Sequence, residues 1–175
     1  MSNQIINKVQ QSALIQLDLA DFDPNIELIG IDLKQFLFEG LVLKEKEFRE
    51  SLKTFEWRVF QNKGVYLFCS EDAIIPSWAY MLVSTYLVGC AHTICQGSIV
   101  DLQRLLITEK ITNWNCDYLT NKMVILKGCS KLYQSEFALS YLSLKLIPIV
   151  RSLMFGEPCS TVPIYKRKNE AKKLD

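Results

Sequence analysis

Polar and apolar positions along the chain follow two periods, and the points where one gives way to the other outline its elements. Leu14, Gln16 and Asp18 alternate with Ile15, Leu17 and Leu19, so Ala13 to Leu19 reads as a half-buried strand. Asp23-Pro24-Asn25 is a turn signal, and Glu27 to Ile31 reads as a second strand. Asp32 then caps a short helix running through Lys34, Phe36 and Leu37 to Glu39, ended by Gly40. Beyond the apolar link Leu41-Val42-Leu43, Phe48, Leu52 and Phe55 fall at helical spacing with charges of both signs on the opposite face.

The second half is more regular. Asn62-Lys63-Gly64 opens a buried strand over Val65 to Cys69, followed by an apolar helix from Ile74 to Val88 that Gly89 ends. Ala91 to Cys95 predicts another strand, and Ser98 caps a helix from Ile99 to about Glu109. After a polar connection from Asn113 to Asn121, Met123 to Leu126 forms a third strand of this half, leading into Lys127-Gly128-Cys129-Ser130. Ser135 starts a long helix through Leu142, Leu146 and Val150 to Phe155, kinked at Pro148 and stopped by Gly156. The stretch GEPCSTVPIYK closes the domain as a peripheral edge strand, and no internal repeat is apparent.

Alternation of strand and helix from Gly64 to Gly156 predicts a parallel sheet. The expected fold is therefore α/β, three-layer, with a mainly parallel sheet flanked by helices and an α+β N-terminal portion. One domain is expected over 1–166, with a polar, frayed start at 1–12 and a basic, disordered tail at 167–175.

Composition narrows the function classes. With 49% hydrophobic residues the 175-residue chain can bury a substantial core, and a net charge of +1 gives no reason to expect nucleic acid. The basic end KRKNEAKKLD lacks an aromatic residue to stack a base. No signal peptide is expected, and no apolar stretch reaches the roughly 20 residues of a membrane span, so the chain reads as cytoplasmic. Six cysteines in that setting are thiols, ligands or core residues sooner than disulfides.

Three of them share a description. Cys69 and Cys129 each close a strand, Cys159 follows the last long helix, and each precedes a serine. If the two strands are near neighbours, Cys69 and Cys129 emerge on one sheet edge, where Cys159 could join them. Three thiolates could hold zinc with a fourth ligand, or an iron–sulfur cluster with a non-cysteine corner. Buried cysteine is equally an ordinary core residue, no C-x-x-C occurs, and Cys90, Cys95 and Cys116 read as packing or exposed residues. His92 is the single histidine, which rules out any site built on several imidazoles. Glycine-rich phosphate loops and the G-x-S-x-G elbow are also missing.

The strings CSEDAIIPSWAYMLV, LVLKEKEFRESL, ILKGCS and GEPCSTVPIYK resemble a bacterial family known as domain of unknown function 2480, from about Ile5 to Lys166. The resemblance implies a fold-sized bacterial cytosolic unit with Cys69, Cys129 and Cys159 in its cysteine-bearing segments, and attaches no reaction to it. It tilts a thiol site toward iron–sulfur cluster assembly or transfer, with assembly proteins as partners. Two further readings stand beside that one. In the first, the cysteines are structural and an apolar surface such as Phe36 to Leu43 docks a partner or a second copy. In the second, Cys69 is a nucleophile beside a helix N-terminus.

Overall fold

The computed structural model describes residues 14–128 and 131–168. The polar start at 1–12, Cys129 with Ser130, and most of the expected tail lie outside the described residues. The strands are β1 (Leu14–Asp18), β2 (Leu28–Asp32), β3 (Gly64–Phe68), β4 (Thr93–Gln96), β5 (Met123–Lys127), β6 (Ser152–Glu157) and β7 (Ser160–Lys166). The helices are α1 (Glu45–Thr54), α2 (Ser77–Leu87), α3 (Ile99–Asn113) and α4 (Ser135–Leu146). The fold is α/β, with mainly parallel strands flanked by helices.

The strands form two sheets in two compact units. Pro24–Leu106, the continuous unit, holds the parallel sheet β2-β3-β4. The described residues of 1–23 and 107–175 form the split unit, whose sheet β1-β5-β6-β7 is parallel except for the β6–β7 hairpin. In the continuous unit Val65 and Leu67 point from β3 into a core completed by Phe48 and Leu52 of α1 and by Ala79, Val83 and Leu87 of α2. Their spacing of four residues along each helix is what turns one face inward.

Two expectations change. The long helix from Ser135 to Phe155 stops at Leu146, and the apolar residues after it include the strand β6. Pro148 lacks the N–H that a helix would use, so it ends the helix where a kink was expected. The strands leading to Cys69 and Cys129 are not neighbours either: β3 lies in one sheet and β5 in the other.

The two units are versions of one another, contrary to the expectation of no repeat. Leu14-Ile15, Asp18-Leu19 and Phe22 recur as Leu28-Ile29, Asp32-Leu33 and Phe36. Each strand ends in an aspartate whose carboxylate accepts the amide two residues on, Ala20 at 2.8 Å and Lys34 at 3.0 Å. From α1 onward the match is at a constant 59 residues: β1 pairs Leu14 with Met123, and β2 pairs Leu28 with Gly64. The next pairings, Gly64 with Thr93 and Met123 with Ser152, keep that offset.

Detail follows the same shift. Asn62 and Asn121 both have positive φ, 59° and 60°, and their amides donate to Cys90 and Ile149. The Ser84 hydroxyl donates to the Tyr80 carbonyl, and Ser143 to Leu139. Ala79, Val83 and Leu87 correspond to Ala138, Leu142 and Leu146, all buried. The chain is therefore two copies of a β-α-β-α-β module, the continuous copy inserted into the split one after Asp23.

Candidate functional site

The C-terminal ends of parallel strands are where open α/β sheets present side chains to ligands. In the continuous unit that edge gathers Asp32 from β2, Cys69 and Ser70 just beyond β3, and Gln96 from β4. Asp32 is an anchor. Besides its own turn it accepts the Ser70 amide at 3.1 Å and the Ser70 hydroxyl at 2.6 Å, pinning β2 to β3. Burial alone would push its carboxyl up, but the hydrogen bonds from Ser70 and the Lys34 amide outweigh it and hold Asp32 below the usual carboxylate range.

Lys34 pairs with Glu71, and that hydrogen bond and charge raise the Lys34 ammonium, with smaller pulls from Asp32 and Cys69. Cys69, half-buried, lies within electrostatic reach of both Lys34 and Tyr80. Burial pushes the Tyr80 phenol up, as would charge on Cys69, while a hydrogen bond with Gln96 works against both. The polar groups here thus bind one another and stiffen the edge.

Above this base stands an apolar tip. Phe38 and Val42 pair across a tight turn in which Glu39 and Gly40 both have positive φ, and Val42 also bridges to Ile74. Two loops are thereby tied together by backbone pairing. Leu41 and Ile74 stand in water, 71% and 90% exposed, whereas Val42 at 49% and Phe38 at 38% are partly covered, the Phe38 ring lying under the Lys44 ammonium. Of the stretch Phe36 to Leu43, then, Phe36, Leu37 and Leu43 turn to the core and Phe38, Leu41 and Val42 face out. Ile74, read from sequence as the start of a helix, lies on a loop three residues before α2. Its neighbour Ile75 packs against the core, and no sequence pattern tells the two isoleucines apart.

The predicted cysteines are distributed between the units. Cys69 belongs to the continuous unit, and Cys159 is exposed in the β6–β7 turn of the split unit. Among the described residues no three or more His, Cys, Asp or Glu side chains gather as a metal site. Of the others, Cys116 is buried in the split unit's core, and Cys90 donates its thiol to the Trp57 carbonyl at 3.2 Å. Burial, then Asp101, raises the Cys95 thiol. Duplication does not account for the Cys-Ser recurrence: Val65 and Leu67 correspond to Val124 and Leu126, but at the same offset Cys69 falls opposite Gly128, one residue short of Cys129.

Fold and edge together define a duplicated α/β protein with exposed apolar side chains at the tip of one copy. The chain belongs to the family described as protein of unknown function (DUF2480), whose model matches residues 3–167. No curated protein and no solved structure matches it. No helix among the described residues is long and apolar enough to cross a membrane.

Proposed function

We propose that this is a non-catalytic binding and scaffolding protein of the cytoplasm that docks a second copy of its own chain through the tip formed by Phe38, Leu41, Val42 and Ile74. The observation that carries the reading is the exposure of four large apolar side chains on two loops held rigid by backbone pairing. A rigid apolar surface loses little conformational freedom on binding and gains from leaving water. A net charge of +1 leaves little repulsion between copies. Light scattering across a concentration series should give a mass above that of one chain, and Leu41→Asp should weaken the association at least about tenfold, roughly 1.4 kcal/mol, with the circular dichroism unchanged. A chain that is monomeric at every concentration would sink the proposal.

A second reading keeps zinc or an iron–sulfur cluster on Cys69, Cys129 and Cys159, with iron–sulfur assembly proteins as partners. One observation favours it: β6 runs parallel to β5, so Cys159 lies beyond the sheet edge from which the chain leaves β5 toward Cys129. Anaerobic purification followed by metal analysis and a visible spectrum separates the two. Bound metal that disappears in Cys159→Ser supports ligation, and a colourless, metal-free protein that resists reconstitution excludes it.

A further inference from the structure

The duplication makes position-by-position comparison of the two copies informative. A core position is held by packing whatever the copy does, so agreement there says nothing about binding. Agreement at an exposed apolar position has no such cause, because the fold gains nothing by keeping a large apolar side chain in water. Two positions agree in this way, Val59 with Tyr118 and Ile74 with Tyr133, and the more exposed pair lies in the loop between the second strand and the following helix. Ile74 is 90% exposed, and Tyr133, at the constant offset, is 71% exposed. The loop of the split unit thus presents an aromatic side chain where the continuous unit presents its most exposed apolar one.

Two residues earlier the copies differ in sign. Asp72 and Lys131 occupy equivalent places, and both are exposed. When identical modules meet through the same surface, residues near the symmetry axis face their own counterparts, and a charge there repels itself. Opposite charges at equivalent positions remove that repulsion only when unlike copies of the module meet.

The geometry points to a docking contact between two copies of this chain in which the Ile74 loop of one continuous unit meets the Tyr133 loop of another chain's split unit, with Asp72 opposite Lys131. This rests on the self-association proposed above and names its second surface. The contact is between unlike surfaces, so each copy carries one of each.

Mixing two full-length variants tests it. Ile74→Asp destroys one surface and keeps the other, and Tyr133→Asp does the reverse. Each alone should be monomeric by light scattering, at concentrations where the unaltered chain associates, and their mixture should give a species with the mass of two chains. Both substitutions are at exposed positions, and circular dichroism checks that each variant is folded. Asp72→Lys and Lys131→Asp should each weaken association at least about fivefold, and the double exchange should restore it. If the unaltered chain associates but Tyr133→Asp associates as well as it does, this contact is wrong and the self-docking reading survives through the Ile74 edge alone. If the unaltered chain does not associate at all, both fall.

Discussion

Phe48→Ala should lower the free energy of unfolding by about 3–5 kcal/mol, the range for truncating a fully buried aromatic ring. Phe48 is 1% exposed, lies edge-on to Phe36 with ring centres 5.2 Å apart, and approaches Trp78 at 6.0 Å. Removing the ring leaves a void lined by α1, α2 and the turn after β2, and the aromatic neighbours cannot close it without leaving their own contacts. The ion pairs on the outer face of α1, Arg49 with Glu45 and Lys53 with Glu50, are solvent-exposed and offset little of such a loss. Urea titration followed by circular dichroism measures the effect. A loss below about 1 kcal/mol would mean that the α1 interface with the sheet is looser than the packing implies.

Lys145→Met should cost about 2–3 kcal/mol, on the scale of hydrogen bonds to a charged group. The Lys145 ammonium donates to the carbonyls of Ile111 at 2.5 Å, Thr112 at 2.8 Å and Trp114 at 2.6 Å, closing the C-terminal end of α3. The Ile111 carbonyl also accepts the Trp114 amide at 3.3 Å, but carbonyls at a helix end lack the usual i+4 partner, and a cation at this end also meets the negative pole of the helix. Methionine keeps most of the aliphatic stem and removes the donors, so the loss is polar in origin. The other copy solves the same problem differently: Trp57 donates its indole N–H to the Leu52 carbonyl at 2.9 Å, and Tyr86, in the place of Lys145, stacks on that indole. Lys46→Met, on the exposed face of α1, is the control and should stay within about 0.5 kcal/mol of the parent.

What could be read from the sequence, and what could not, follows from which residues the backbone itself dictates. The strand from Val65, the helix face of Phe48 and Leu52, and the Asp32 cap were legible because each is a local pattern. The division into two sheets was not. β1 pairs with β5 although the whole continuous unit separates them along the chain, and hydrophobic period carries no information about so distant a partner. The repeat was hard to see because a core accepts any apolar residue of suitable volume, so Phe48 answers to Ile107 and Val83 to Leu142, and the core identities that remain, such as Ala79 with Ala138, are of common residue types. Identities survive where backbone geometry demands them, as at Asn62 and Asn121, and at Gly97 and Gly156, whose φ values are 141° and 121°.

The apolar tip was half legible. Phe36 to Leu43 was recognised as a candidate surface, but which of its residues face outward depends on the turn at Glu39 and Gly40, whose sequence had suggested a helix end. Bringing Ile74 beside Val42 depends on a pairing between loops far apart in the chain.

The insertion of one module into another sets an order of events during synthesis. Leu28 needs only Gly64, 36 residues on, whereas Leu14 must wait for Met123, a separation of 109 residues. Closing the longer loop costs about 1 kcal/mol more in chain entropy, a small difference beside the delay itself. On the ribosome, which adds about 5–20 residues per second, β2, β3 and β4 have all emerged while β1 is still without the strand it pairs with. β1 is thus made before the strands of the continuous unit but placed after them, and until it pairs its backbone N–H and C=O groups are open to neighbouring chains.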